Sequence, residues 1–129
     1  MSDRTASIAR GWIEAWQRMD MAWLRAHLSP DFVHESPFGV LKGRDHYLAV
    51  VEPMARKSVL DLTIRHVLAG ADQAAIWFEN RTPEGPVATC DWVRVAGDQI
   101  VAVRSFYDTG SVREVLSAEE QARLEGGSA

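Results

Sequence analysis

After Lys57, the apolar residues of this chain stop recurring at helical spacing and begin to alternate with polar ones. Before that point, Thr5 to Met19 carries an apolar residue about every 3.6 positions, which predicts an amphipathic helix with one broad apolar face. Beyond it, the period of about two predicts β-strands, whose successive side chains point to opposite faces of a sheet. The two patterns occupy separate parts of the chain, so the sequence predicts an α+β domain with helices packed on a sheet.

The helical part also contains two further helices and one short strand. We expect Asp20 to cap a second helix, and a third helix to begin after Gly43. Pro53 is expected to end or kink that third helix. Between these helices, residues 31–36 alternate as a strand, which the Pro-Phe-Gly segment at 37–39 is expected to break.

Four strands are predicted after the change of period. They are expected at residues 59–69, 73–81, 86–95 and 99–108. Short turns join the last three, which predicts an antiparallel meander. In the first strand, one face is expected to carry Leu60, Leu62, Ile64, His66 and Leu68.

The composition is that of one globular domain. With 129 residues, 47% of them hydrophobic, we expect a single domain over 1–129. Its core covers about 6–108, and 109–129 form a C-terminal extension with a short helix and a frayed end. A net charge of −4 without a basic run argues against nucleic acid and anionic membranes as partners. Cys90 is the single cysteine and no apolar stretch could span a membrane, so a cytoplasmic location is expected.

The sequence has no local motif for a cofactor or a metal. It lacks a Gly-rich phosphate loop, a Gly-x-Ser-x-Gly elbow and paired cysteines for zinc. His34 and His66 with Asp91 do not match a local metal-ligand spacing. We therefore expect neither a cofactor nor a metal.

Four segments follow one another in an order that is typical of a known superfamily: Trp12 to Leu24, Pro30 to Gly39, Gly43-Arg44-Asp45 and Gly97 to Asp108. With them the chain resembles the nuclear transport factor two-like superfamily, in its SnoaL-like and ketosteroid isomerase-like branch. The resemblance covers most of the chain and implies a cone-shaped fold, in which N-terminal helices and a curved antiparallel sheet enclose a pocket. This fold hosts isomerases, dehydratases, cyclases, epoxide hydrolases and modules without catalysis, so it does not select one function.

The resemblance also implies which elements line the pocket: the first helix, the first strand and the inner face of the meander. Strand parity then assigns individual residues to it. The residues expected to contact a substrate are Trp12, Phe32, Ser36, Ile76, Phe78, Asn80, Thr89 and Val103. A mostly apolar cleft with a few convergent polar groups predicts a small-molecule ligand.

Asp91 is the first candidate catalytic residue. Its neighbours over 87–93 are mostly apolar, and a carboxylate is costly to bury without a partner or a proton. In the resemblance, Asp91 matches an aspartic acid of the isomerases whose raised pKa lets it donate a hydrogen bond to an oxyanion. The alternative is a carboxylate that faces solvent or pairs with an arginine such as Arg81 or Arg65.

His34 and Tyr107 are the other candidate catalytic residues. An inward His34 near Asp91 would form a dyad that moves protons, since an imidazole titrates close to neutral pH. The alternative, given equal weight, is that His34 is hydrogen-bonded to the backbone at the pocket wall. Tyr107 matches a family position that is commonly aromatic, so it contacts the ligand or is a core residue with a polar tip. His66 is interpreted as a core histidine.

Two residues depart from the isomerase pattern. Trp12 falls where the isomerases carry a tyrosine donor, and Ser36 where they carry the general-base aspartate. Neither side chain exchanges a proton as the family residue does. The hydrolases of this fold need an Asp-Arg-Asp constellation, but strand parity directs Arg94 and Arg104 outward.

The leading hypothesis is an enzyme that moves a proton on a small, apolar, oxygenated molecule without a cofactor, as an isomerase, a dehydratase-type lyase or a cyclase. His34 would act as base or acid, and Asp91 would orient it or donate to an oxyanion. The alternative is a non-catalytic ligand-binding or structural module of the same fold. Trp77, Trp92 and Ala88 make the outer sheet face apolar, which predicts a homodimer through that face.

Overall fold

The computed structural model describes residues 2–58, 61–83, 85–110 and 116–126. Its helices are α1 (Ser2–Arg18), α2 (Met21–His27), α3 (Arg44–Ser58) and α4 (Ala118–Leu124). Its strands are β1 (Leu28–Ser36), β2 (Gly39–Lys42), β3 (Leu62–Ala69), β4 (Gln73–Thr82), β5 (Gly85–Ala96) and β6 (Gln99–Tyr107). The α+β class predicted from the change of period is confirmed.

These strands form one curved sheet in the order β2-β1-β6-β5-β4-β3. The predicted meander is present, because β3 to β6 pair antiparallel in succession. Strand β1 lies parallel to β6, and β2 folds back antiparallel on β1, so the sheet is mixed and not wholly antiparallel. The Pro-Phe-Gly segment therefore connects two paired strands and does not simply end one.

Two helix boundaries test the sequence signals. The Asp20 carboxylate accepts a hydrogen bond from the Trp23 N–H and caps α2, as predicted. Pro53 does not end α3, which continues to Ser58. Met54 and Ala55 are buried beyond the proline, and their packing offsets the one backbone hydrogen bond that proline cannot donate.

A β-bulge in β3 reverses the alternation predicted for that strand. The register with β4 shifts between Ile64 and His66. As a result Val67 and Ala69 pack against the core. His66 is exposed and Leu68 is 66% exposed, so the prediction that they share a face with Ile64, and that His66 is a core residue, was wrong. Leu60, predicted on the same face, lies outside the described residues. One extra residue inverts every later side chain of a strand with a period of about two.

The core lies between the helices and the inner face of the sheet. Four rings from three elements meet there: the centroids of Trp12 and Phe32 are 5.8 Å apart, and those of Phe32 and Tyr47 are 5.0 Å apart. Trp16 meets Tyr47 edge to face at 6.2 Å. This aromatic cluster fixes α1 and α3 against β1. Within the part of the chain that the structure describes, the helices are all too short or too polar to cross a membrane.

Candidate active site

A cavity of about 720 Å³ opens between α1, α3 and the inner face of the sheet. The predicted site residues on its wall are Trp12, His34, Ser36, Phe78, Asn80, Thr89, Asp91 and Tyr107. Phe32, Ile76 and Val103 are instead fully buried in the core. Strand parity correctly directs these three inward, but the helices cover the inner face at their end of the strands.

One boundary crosses the sheet and separates core from cavity. On its core side lie Phe32, Ile76, Val93 and Val103; on its cavity side lie His34, Phe78, Asp91 and Ser105, each two residues away along its own strand. The boundary lies at the same level on β5 and β6, where Asp91 is opposite Ser105. It is offset on β4 and β1, because Ile76 is opposite Asp91 and His34 is opposite Val103.

Asp91 lies on this boundary and is 3% exposed. Its Oδ2 accepts a hydrogen bond of 2.9 Å from the indole N–H of Trp12. Among the described residues, its Oδ1 has no hydrogen-bond partner. Burial raises the pKa of Asp91 to about 6, against the opposing effect of the hydrogen bonds with Trp12 and Ser105. Asp91 is thus an acid that changes charge close to neutral pH.

The arginines proposed as alternative partners of Asp91 are engaged elsewhere. Arg65 forms an ion pair of 2.7 Å with Glu79, and Arg81 lies 3.8 Å from the carboxylate of Asp61. Asp91 consequently has no arginine to stabilise its charged form within the described structure.

His34 is bonded to a serine and not to the carboxylate. Its Nε2 lies 3.0 Å from the Oγ of Ser105, and its ring centroid is 4.9 Å from that of Tyr47. Burial lowers the pKa of His34 to about 4, so the imidazole is neutral at neutral pH. The dyad predicted from the sequence therefore has Ser105 between its two members.

Ser105 owes this position to the register of two strand pairs. It stands directly opposite Asp91 in the antiparallel pairing of β5 with β6. In the parallel pairing of β1 with β6, His34 is opposite Val103, two residues before Ser105. Strand parity directs Ser105 inward, but no motif distinguishes it as a functional serine.

Tyr107 and Ser36 form a second polar group on the cavity wall. Burial raises the pKa of Tyr107, and a hydrogen bond with Ser36 partly opposes that rise. The Oγ of Ser36 also accepts a hydrogen bond of 3.2 Å from the N–H of Phe38, in the turn between β1 and β2. Tyr107 keeps its proton at neutral pH and can donate it to a ligand oxygen.

Tyr47 is a cavity residue that the sequence did not single out. Burial, followed by the nearby charge of Asp91, raises its pKa well above the usual value. It lies in α3 among apolar residues at helical spacing, so the pattern indicates a core residue and gives no sign of a polar role. Its hydroxyl remains protonated beside His34 and Asp91.

The C-terminal helix completes the wall. Leu116 and Leu124 line the cavity, and Glu120 is tied to Lys57 of α3 by an ion pair of 3.0 Å. Beyond α4, the backbone of Glu125 packs against β2 so closely that a Cβ at Gly39 would lie 2.8 Å from it. Gly39 has a φ of +149°, which favours glycine as well.

Neither Arg94 nor Arg104, the two arginines considered for a hydrolase-type constellation, lies on the cavity wall. Arg94 is exposed on the outer face, where Arg104 lies 3.4 Å from Glu35 and over the ring of Phe106. In the residues that the structure describes, no cluster of three His, Cys, Asp or Glu side chains could hold a metal ion.

Comparison with known proteins agrees with this architecture. The family model of the SnoaL-like domain matches residues 9–103. A protein of Kribbella flavida DSM 17836 with a TM-score of 0.78 is 19% identical and covers 98% of this chain and 100% of its own. No curated protein sequence matches this chain.

Two further solved structures have functional descriptions. A provisionally assigned ketosteroid isomerase of Kribbella flavida has a TM-score of 0.74 and 19% identity, with 83% of this chain and 79% of that chain covered. An LEH-like epoxide hydrolase of Mycobacterium tuberculosis has a TM-score of 0.73 and 16% identity, with 88% and 89% covered. At these identities the likeness establishes the fold alone.

Proposed function

Because the chain belongs to the SnoaL-like domain family, we propose that it is an enzyme that moves a proton on a small, mostly apolar, oxygen-bearing molecule without a cofactor. The cavity volume falls in the range of about 300–1,000 Å³ that small-molecule sites occupy. The observation that carries the proposal is the buried carboxyl of Asp91, with one oxygen unpartnered among the described residues and a neutral imidazole nearby.

The protonation states assign roles to these groups. His34 is neutral at neutral pH and can accept a proton from a substrate carbon or oxygen. Asp91 is mostly ionised above about pH 6, where it stabilises a protonated neighbour, and mostly neutral below it, where it can donate to an oxyanion. Tyr107 and Tyr47 retain their protons and serve as donors to a substrate oxygen.

Among the activities of related folds, isomerase, dehydratase or cyclase chemistry fits these residues better than epoxide hydrolysis. Arg94 and Arg104, the two arginines considered for a hydrolase-type constellation, lie on the outer face. Arg81 lines the cavity, but its side chain is 81% exposed and lies 3.8 Å from Asp61. One neighbouring structure is a provisionally assigned isomerase, and proton transfer is the step that isomerases and dehydratases share.

Hydrogen–deuterium exchange tests the proposal without knowledge of the natural product. The full-length protein is incubated in D₂O with a panel of cyclic enones, β-hydroxyketones and phenols, and deuterium at carbon is followed by mass spectrometry. We expect catalysed exchange next to the carbonyl of at least one compound, reduced at least about 100-fold by His34→Gln and by Asp91→Asn. His66→Gln is the matched control, because His66 lies on the opposite face of the sheet, and it should exchange as the parent does.

The second candidate is a binding module without chemistry. It is favoured by one observation, namely that the Trp12 N–H is already used by Asp91, where the isomerases are expected to direct a donor at the substrate. A ligand that shifts the NMR signals of His34 and Tyr107 but undergoes no exchange would support this candidate and contradict the enzyme.

A further inference from the structure

The hydroxyl of Ser105 has one proton and lies between two groups that can accept it. Its Oγ is 3.0 Å from Nε2 of His34, and it stands opposite Asp91 in the β5–β6 register, where hydrogen bonding lowers the pKa of the carboxyl. A serine hydroxyl donates one hydrogen bond at a time, although its oxygen can accept others. The direction of the bond to His34 therefore depends on where this proton is directed.

We propose that Ser105 is a positioning residue that couples the charge of Asp91 to the tautomer of His34. The proposal deepens the function proposed above and rests on it for its catalytic meaning. The coupling itself is a property of the free protein and can be measured without a substrate.

The ionised form of Asp91 determines the first arrangement of these hydrogen bonds. A carboxylate accepts hydrogen bonds and donates none, so it attracts the hydroxyl proton of Ser105. The Oγ of Ser105 then faces Nε2 of His34 as an acceptor, and the imidazole must carry its proton on Nε2. Its Nδ1 is left with a free lone pair; among the described residues, no hydrogen bond engages that nitrogen.

The neutral form of Asp91 determines the second arrangement. Oδ2 accepts the indole N–H of Trp12, so the acid proton resides on Oδ1, which has no partner among the described residues. The Ser105 hydroxyl is released from the carboxylate and donates to Nε2 of His34. The imidazole proton then moves to Nδ1, and His34 has no lone pair left for a substrate.

The two roles of the site are thereby mutually exclusive. With Asp91 ionised, His34 is a base through Nδ1; with Asp91 neutral, Oδ1 is a donor and His34 is not a base. Substrates that need proton abstraction are turned over by the first form, and the pH profile of kcat/KM should rise with the ionisation of Asp91.

Other titratable groups close to Asp91 do not change charge in the same range. Tyr47 from α3, Tyr107 from β6 and Cys90 on β5 all have pKa values raised by burial and by the charge of Asp91, so they stay protonated. Trp12 from α1 does not titrate. Within the described structure, Asp91 is therefore the group at this site that titrates between the pKa of His34, about 4, and neutral pH.

Long-range ¹H–¹⁵N correlation spectra of the ¹⁵N-labelled full-length protein report the tautomer of each histidine directly. We expect His34 to be in the Nε2–H form at about pH 8 and to pass to the Nδ1–H form at about pH 5, without becoming an imidazolium. Asp91→Asn should hold His34 in one tautomer at every pH. Ser105→Ala should abolish the change, and Ser105→Thr, which keeps a hydroxyl, should retain it.

Three results would overturn the proposal: a single tautomer of His34 over this pH range in the parent protein, a change that persists in Ser105→Ala, or one that persists in Asp91→Asn. Should Ser105→Ala not fold, the parent and Asp91→Asn still decide the matter. A tautomer change without catalysed deuterium exchange would leave the coupling intact and count against the enzyme. Catalysed deuterium exchange without a tautomer change would support the enzyme and overturn the coupling.

Discussion

The inner and outer faces of the meander are formed by the same strands but differ in their side chains. The inner face buries an acid and the outer face exposes aromatic rings, which is the reverse of what stability alone favours. Asp91 and Trp92 are neighbours in sequence, yet the carboxyl is 3% exposed and the indole 45% exposed. Burying the tryptophan and exposing the acid would stabilise an isolated domain better. The buried acid is consistent with the proposed ligand site, and the exposed rings are consistent with the proposed homodimer.

The outer face carries a row of side chains defined by strand register. Trp77 of β4 is opposite Cys90 of β5, which is opposite Phe106 of β6. Trp77 is 49% exposed and Phe106 50% exposed. Charged side chains of both signs lie beside the row and form ion pairs, such as that of Arg65 with Glu79. A face with apolar rings and balanced charges supports the proposal of a homodimer, because it can meet its own copy without charge repulsion.

The largest expected effect is the difference in stability between substituting a tryptophan of the inner face and substituting one of the outer face. Trp12→Ala should lower the free energy of unfolding by about 3–5 kcal/mol, because it opens a cavity in the core and leaves Asp91 without its donor. Trp77→Ala should change the stability of the folded monomer by less than about 1 kcal/mol. Chemical denaturation at several protein concentrations separates folding from association. Equal losses in the free energy of unfolding at both positions would contradict this contrast between the two faces.

The second effect is a pH dependence that belongs to the inner face. The pKa of Asp91 rises on folding from 3.8 to about 6, so the folded state holds its proton more tightly than the unfolded state. Its contribution to stability is fully favourable below the unfolded pKa and is lost as the pH rises through the folded pKa. Asp91→Asn should therefore gain stability relative to the parent between about pH 4 and pH 7, by about 2–3 kcal/mol.

Thermal or urea unfolding across this range measures the difference. The outer-face variant Glu79→Gln is the control, since it should show no comparable trend. A parent protein whose stability relative to Asp91→Asn does not vary with pH would show that the carboxyl is solvated in the folded state.

The third effect concerns association through the outer face. Trp77→Ser combined with Phe106→Ser should raise the dissociation constant of the proposed homodimer at least about tenfold, because both rings leave the apolar row. Light scattering over a micromolar dilution series gives the constant. A parent protein that is monomeric throughout would contradict the proposal. Ser36→Ala, within the cavity, should leave association unchanged.

The smallest effect tests the bulge in β3. His66→Ala should change the free energy of unfolding by less than about 0.5 kcal/mol, because His66 is exposed. Val67→Ala removes methyl groups that pack against the core and should cost about 1 kcal/mol or more. The reverse order in a denaturation experiment would place His66 inside and remove the bulge.

The sequence predicted those features that follow from local pattern. The α2 cap at Asp20 and the meander arise from residue type and period, and the inward direction of Asp91 follows from strand parity combined with the family resemblance. The bulge after Ile64 was missed because one inserted residue leaves no mark in the alternation itself. The parallel partner of β1 was missed because a parallel pairing joins distant segments without a turn signature.

The site was predicted in part, for a related reason. Parity identifies inward residues such as Ile76 and Phe78 equally well, but whether a helix covers them depends on tertiary packing. The place of Ser105 between His34 and Asp91 depends on two registers at once, and neither is written in a local motif. Whether these residues catalyse a reaction stays a prediction.

The segment that carries α4 follows the stretch matched by the family, residues 9–103, and yet it supplies Leu116 and Leu124 to the cavity wall. Part of the cavity's shape is thereby supplied by a stretch that carries none of the proposed proton-handling groups. Exchanging the tail would retune which molecules fit while the proton-handling groups on the sheet stayed as they are. A lineage could diversify its ligands in this way by altering a terminus, and a protein engineer could follow the same route.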